Sequence, residues 1–392
     1  MKRYAPPGNY SHRRRAPTGG IGKMLRERIL RAPDLYVGSM KKRTQKLWLC
    51  EGDRFTQRKV RYVPGLLKIF DDILDLVYAA YNKQREGILR VDVDATNCRI
   101  SVYASGEGVP IEVHREEGEM IFGHLSNDDC NVEDEITGVK LANLFSTEFI
   151  VETADGPGQK KYKQLRFSEN MGKKSEPQIT GYRKGVNWTM VTFKPDLARF
   201  NMTHLEDDAV ALMKQRVLDM VGILGETVLV VFNGQKMLPR RMGFSEYAFL
   251  YIWLSPKGLH LPWLVIVSDK HQLEFDIRKS KTPTSFTNAS LRICEKVNDQ
   301  WEVCVSLSGG QFQQVSFVNK FATTSGGTHV DYVTDLIVDN VLSSEVFKKF
   351  NIGKHDVKRH LWLFINVYMD NPTFDSPNEG DLDHPSGRLW VR

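Results

Sequence analysis

Residues 101–110 read SVYASGEGVP, an apolar strand running straight into a Gly-x-Gly turn. Just upstream, Leu66, Ile69, Phe70, Ile73, Leu74 and Val77 recur at helical spacing behind Pro64 and Gly65, the buried stripe of an amphipathic helix. ILRVDVD (88–94) and RISVYAS (99–105) alternate as strands and deliver the turn. Downstream, VKLANLFS (139–146) is helical, FIVETA, KYKQLRF and WTMVTFKPD are strands, DDAVALMKQRVLDMVGILG (207–225) is helical again, and TVLVVFNG (227–234) closes the series. Helices grouped against a mostly antiparallel or mixed sheet describe an α+β layered domain ending near residue 240. The glycine turn itself is open to two readings, a plain turn or a cradle in which backbone N–H groups approach phosphate.

On the N-terminal side, the helix from Met24 is expected to end near Arg31, because Pro33 follows. KLWLCEGDRFTQRKVRYV (46–63) alternates around Glu51, Gly52 and Asp53 as a hairpin. A second unit begins after residue 240. In it QWEVCVSLS and QQVSFVN are strands, HVDYVTDLIVDNVL has helical spacing and HLWLFINVYM is a buried strand. Residues 251–290 show no steady period and read as an irregular insert, and the tail beyond 375 reads as irregular. Residues 116–134 form an acidic, loop-like stretch in which only EMIFGHL suggests a short helix.

The 392 residues, 41% hydrophobic and 26% charged, are ordinary for a globular protein of one large or two smaller domains. No apolar run approaches the roughly 20 residues of a membrane helix, and no apolar segment of a secretory signal follows the N-terminus. The net charge of +6 is concentrated in a leader without acidic residues that carries Lys2, Arg3, Arg13, Arg14, Arg15, Lys23 and Arg26. Residues 1–22 therefore read as a disordered basic arm, either a solvated tail or a contact for nucleic acid. Cys50, Cys98, Cys130, Cys294 and Cys304 are odd in number, widely spaced and without CxxC, which argues against a disulfide framework and a zinc site and for reduced thiols. Asp71, Asp72 and Asp75 fall opposite the apolar stripe of their helix; a solvated face is the default expectation, a metal or general-base cluster the alternative.

Taken in order, RAPDLYVGS, YVPGLLKIFDDIL, NKQRE, SGEGVP, EMIFGHL, LFSTEFIVETADG, VTFKPDL, QQVSFVN, TSGGTHVDYV and NPTFDS resemble the N-terminal ATPase and transducer region of eukaryotic type II DNA topoisomerases, in wording nearest the plant type. The resemblance implies a GHKL-type sandwich over 23–240 and a smaller α/β transducer domain over 241–376, followed by an irregular tail at 377–392. It implies ATP and Mg²⁺ as cofactors, DNA as a partner, a nuclear location and a gate formed by two protomers, either a homodimer or a heterodimer with a full-length type II topoisomerase. The chain stops before the DNA-cleaving region of such enzymes would begin.

Carried over residue by residue, the family's nucleotide site is altered. Asp72 stands at the position of the glutamate that polarises the attacking water, one methylene shorter, a general-base position in vestigial form. The magnesium-holding asparagine is replaced by Leu76 or by Tyr78, depending on the anchor, because the helix is two residues longer; a loop-out or shifted helix start is expected near Asp75 and Leu76. Ala104 replaces the residue that hydrogen-bonds adenine, with Ser105, Gly106 and Gly108 keeping the turn. Of the phosphate loop, Ser126, Asn127, Thr137, Gly138 and Lys140 stand as remnants, without the glycine cradle and beside five carboxylates that repel a triphosphate. No transducer lysine can be matched after Ser376. Two function classes follow: an ATPase and transducer module impaired or inactive in turnover, or a non-catalytic interaction or dimerisation paralogue. Nucleic-acid binding through the arm is a third reading.

Overall fold

The computed structural model describes residues 19–52, 54–79, 87–106, 138–155, 161–182, 185, 187–238, 242–254, 267–269, 272–274, 292–298, 300–345, 347–350, 352–369 and 372. Helix α1 (Gly19–Arg31) stops where expected, ahead of Pro33, and starts before the expected end of the arm at residue 22. A one-turn helix, α2 (Asp34–Val37), leads to the hairpin of β1 (Arg43–Glu51) and β2 (Arg54–Tyr62), paired in unbroken register from Arg43 opposite Tyr62 to Glu51 opposite Arg54. Helix α3 (Pro64–Ala79) opens on a proline, whose missing N–H costs nothing in a first turn. It runs without interruption past Asp75 and Leu76, so the expected loop-out is absent within these residues.

Among the described residues nine strands form the first sheet. Its central order runs from β10 (Val228–Phe232) through β3 (Gly87–Asp94), β4 (Arg99–Ser105), β9 (Trp188–Pro195) and β5 (Ser146–Asp155) to β6 (Lys161–Ser168). Only β10 with β3 is parallel, which makes the sheet mixed, as the pattern predicts. Strand alternation sends Leu89, Val91, Ile100, Val102, Val191 and Phe193 onto α3, α4 (Gly138–Leu144) and α5 (Asp207–Leu224). Helix α5 ends on Gly225, whose N–H makes the last bond to the Val221 carbonyl and whose φ of 73° turns the chain out of the helix.

Helix α6 (Phe244–Leu254) extends into the stretch expected to be an irregular insert, and β12 (Val267–Asp269) with β13 (Gln272–Glu274) forms a short hairpin inside it. The periodicity was hidden because α6 is apolar nearly all round and buries Phe244, Tyr247, Ala248, Tyr251 and Ile252. It joins the first core to a second sheet ordered β14 (Arg292–Lys296), β15 (Trp301–Leu307), β18 (Leu361–Val367), β16 (Gln313–Val318) and β17 (Phe321–Ala322). Every residue of β18 is buried. Leu361, Leu363, Ile365 and Val367 pack with α7 (Thr328–Ser343), while Trp362 and Phe364 face the first unit. A short α8 (Lys354–Lys358) precedes β18. Trp48 of the hairpin stacks on Trp362 with ring centres 5.2 Å apart. The two units therefore share one aromatic seam.

Cys294 and Cys304 lie directly opposite one another on β14 and β15 and are joined as a disulfide. This corrects the expectation of reduced thiols at these positions. Their pairing comes from strand register, ten positions apart in sequence, and no spacing rule reveals it. Cys50 and Cys98 are not disulfide-bonded. No described helix is long and apolar enough to cross a membrane.

Candidate functional site

The carboxylates of α3 are not a solvated face. Asp72 is buried, its Oδ1 accepting a hydrogen bond from Lys68 Nζ at 2.5 Å, one turn earlier in the helix. Lys68 is itself held over the ring of Phe321, 5.3 Å from its centre. Asp71 accepts a hydrogen bond from Arg216 Nε at 2.9 Å, and Asp75 from Lys320 Nζ at 2.6 Å. The solvated reading fails because α5 and the turn after β16 cover this side of the helix and each brings a cation to a carboxylate. Burial is the main cause that pushes the Asp72 carboxyl up to about 6, with Lys68 opposing it. Its second oxygen, Oδ2, is buried without a hydrogen-bond partner. The group is thus ionised at neutral pH and keeps one acceptor site open.

Asp72 meets one other residue singled out in the sequence. Helix α4 begins at Gly138, and a β-carbon there would lie 2.2 Å from Asp72 Cγ. Only glycine allows the helix start to close on the carboxylate. Lys140 and Asn143 of α4 are buried in the same layer. Gly108, Ser126, Asn127 and Thr137 lie outside the described residues, as do the side chains of Leu76 and Tyr78.

The strand end at 104–106 continues the core face of Ile100 and Val102: Ala104 sits between Leu89 and Thr189, and Ser105 opposite Trp188. Ala104 is buried and offers no polar atom, while Ser105 Oγ accepts a hydrogen bond from the Ile88 N–H at 2.8 Å. Gly106 N–H continues the pairing to the Asn187 carbonyl. Buried hydroxyls stand next to this corner on Thr189 and Thr153, 3.4 Å apart. Sequence reading passed over both, since a threonine in a strand carries no signal beyond β propensity.

A buried polar network behind α3 was missed as well. Arg216 NH1 donates to Asp219 Oδ2 at 3.0 Å, and Asp219 Oδ1 accepts from Gln215 Nε2 and from the Tyr247 hydroxyl, each at 2.7 Å. Burial opposes the charge on Arg216, yet Asp71 and Asp219 together hold its pKa above the ordinary arginine range. Polar positions inside the apolar pattern of α5 were the available signal.

For a divalent cation the described residues offer no donor set made of protein carboxylates, imidazoles and thiols alone. The described residues contain no group of three His, Cys, Asp or Glu side chains that converge, and the α3 carboxylates each face a lysine or arginine. Hard cations take several oxygen ligands at once.

Residues 266–386 match the family model described as DNA gyrase B. The chain is 51% identical over 373 residues to DNA topoisomerase 2 of Arabidopsis thaliana, covering 91% of this chain and 23% of that protein. It thus spans about a quarter of the length of the curated relatives it matches. Among solved structures, the ATPase region of Saccharomyces cerevisiae topoisomerase II superposes with a TM-score of 0.72 at 34% identity, over 94% of this chain and 88% of that one. The ATPase and transducer domains of DNA topoisomerase II from Balamuthia mandrillaris give 0.70 at 32%, over 95% and 89%. The mixed sheet under α3 and α4, the second sheet joined through α6 and this agreement over nearly the whole length establish that the chain belongs to the family of the N-terminal ATPase and transducer region of eukaryotic type II DNA topoisomerases.

Proposed function

We propose that this chain is a gate module of the type II topoisomerase kind whose ATP turnover is impaired or absent. The observation that carries the reading is the state of α3. Asp72 keeps a proton-accepting oxygen with a pKa near neutrality, which suits a general base. Among the described residues nothing beside it supplies a metal: Asp71 and Asp75 are paired with Arg216 and Lys320, and the positions of the family's asparagine are Leu76 or Tyr78. At the adenine corner Ala104 offers no hydrogen bond, a loss worth on the order of 1 to 3 kcal/mol where a site relies on it. ATP and Mg²⁺ remain the ligands that family membership suggests. DNA, a second copy of this chain or a full-length type II topoisomerase are the partners it suggests, and the nucleus the place.

The test is magnesium-dependent ATP hydrolysis, measured with and without DNA, on the protein and on Asp72→Ala. The expected result is turnover indistinguishable between the two. DNA-stimulated hydrolysis that Asp72→Ala abolishes overturns the reading. If an ATP analogue drives dimerisation without turnover, the chain serves as a non-catalytic dimerisation module.

A further inference from the structure

Cys294 of β14 and Cys304 of β15 are direct cross-strand partners and play no part in the candidate site. Strand β14 is an edge strand, bonded among the described residues to β15 alone. Cys304 is buried, at 2% exposure, in the core that Trp362 and Phe364 share with the first unit, and Phe364 of β18 is its ladder partner on the other side. Cys294 is half-buried and packs against that same core. Helix α6, which joins the two units, lies against both strands. The disulfide is therefore part of the seam between the units.

The two residues stand at different depths. Of the pair, Cys294 is the one that keeps solvent exposure, while Cys304 lies behind it in the core. An accessible thiol next to a resolving one is the arrangement of cysteines that are oxidised reversibly. Without the bond, β14 is held to the sheet by its ladder with β15, five residue pairs from Arg292 opposite Ser306 to Lys296 opposite Glu302. With it, the edge strand is tied covalently across a sequence separation of 10 residues, which restricts the opened strand.

We propose that Cys294 and Cys304 are a reversible thiol–disulfide pair, oxidised by a low-molecular-weight disulfide of the glutathione kind, and that the oxidised form fixes β14 at the seam between the two units. Starting from the dithiol, the Cys294 thiolate attacks one sulfur of glutathione disulfide, forms a mixed disulfide and releases one glutathione thiolate. The Cys304 thiolate then attacks the Cys294 sulfur and releases the second. The two thiol protons end on the two glutathiones, and the two electrons lost by the pair reduce glutathione disulfide. Reduction runs the same steps backwards with two glutathiones. In the nucleus, the location proposed above, standing disulfides are rare and those present are usually transient, so the bonded form there marks an oxidised state of the surroundings.

The test equilibrates the full chain in buffers whose ratio of reduced to oxidised glutathione runs from about 1:1 to about 100:1. Thiols are trapped by acid quenching and alkylation, the state of Cys294 and Cys304 is identified by mass spectrometry, and backbone hydrogen exchange is read on the same samples. Conversion between dithiol and intramolecular disulfide is expected across the series, with exchange over Arg292–Lys296 slowed at least about tenfold in the oxidised form. Cys294→Ser and, independently, Cys304→Ala are expected to keep the fast rate in every buffer. The two forms of the unaltered chain are compared directly, so a variant that folds poorly does not decide the matter. A pair that stays dithiol or stays bonded throughout the series, a bond formed between two chains, or equal exchange of β14 in the two forms overturns the proposal. ATP turnover plays no part in the readout, so this outcome is separate from that of the gate module proposed above.

Discussion

The backbone of Gly138 rests on the carboxylate of Asp72, with no room between them for a methyl group. A β-carbon would meet Cγ and both carboxylate oxygens within 2.5 Å, and Asp72 has little freedom to yield, being buried and bound to Lys68. Gly138→Ala is therefore expected to destabilise the protein by about 1 to 3 kcal/mol, read from denaturant midpoints. The same substitution in an Asp72→Ala background is expected to cost much less, because the clashing atoms are gone. Additive costs in the double variant would show that the two residues do not meet.

The raised pKa of Asp72 has a definite sign in the pH dependence of stability. The folded protein holds the proton more tightly than the unfolded chain, whose value is 3.8. Between about 6 and 3.8 the folded state thus binds more protons, and stability from this group rises as pH falls through that window. Above about 6 the ionised, buried carboxylate carries its full cost. The difference in unfolding free energy between the protein and Asp72→Asn is expected to change across this window and to be flat above it. Lys68→Met is expected to push the midpoint higher still, since Lys68 is what opposes the shift. A carboxyl resonance of Asp72 titrating at the ordinary aspartate value would contradict both statements.

Arg216 bridges two carboxylates, the partly buried Asp71 on α3 and the buried Asp219 one turn along its own helix. Removing it takes the ion-pair partner from both, and breaking a buried pair in this way costs about 3 to 5 kcal/mol. Arg216→Met is expected to lose that much, measured by chemical denaturation at neutral pH. Arg216→Lys is expected to recover only part of it, because Nε and NH1 reach the two acceptors in different directions and an ammonium is a point charge. Full recovery with lysine would mean that charge alone, and not the fork, holds the network.

How much of this was legible beforehand follows from where each signal resides. Alternation along ILRVDVD and the stripe on α3 are local, and both elements formed where the pattern places them. The hairpin was equally plain, down to its turn. What escaped depended on partners far away in the chain. Asp71 and Asp75 look solvent-facing in a helical projection, and only the packing of Arg216 and Lys320 from 145 and 245 residues further on partly covers them and pairs their charges. Helix α6 escaped for the opposite reason: Phe249, Leu250 and Leu254 make even its less buried side apolar, so little of a polar face gives it a period. The pairing of Cys294 with Cys304 is likewise a matter of strand register. At the candidate site, the closeness of Gly138 to Asp72 brings together residues 66 positions apart, a relation that a motif quoted in one dimension does not contain.

Lys320 is the contact through which the second sheet touches the candidate site. It lies in the turn between β16 and β17 with a φ of 78°, next to Asn319 at 48°, a conformation that costs a side-chain-bearing residue about 1 kcal/mol or more. From there Lys320 reaches Asp75, and the following Phe321 lies under Lys68, the residue that holds Asp72. The Lys320–Asp75 pair is partly exposed, at 17% and 38% of the side chains, so screening limits its worth to about 1 kcal/mol or less. A double-mutant cycle of Lys320→Ala and Asp75→Ala is expected to give a coupling of that size, and Lys320→Gly to be better tolerated than Lys320→Ala because glycine relieves the turn. If the turn fixes Lys68 through Phe321, then Phe321→Ala is expected to move the Asp72 midpoint upward while Lys320→Ala moves it little. An unchanged midpoint in Phe321→Ala would separate the second sheet from the charge state of the site.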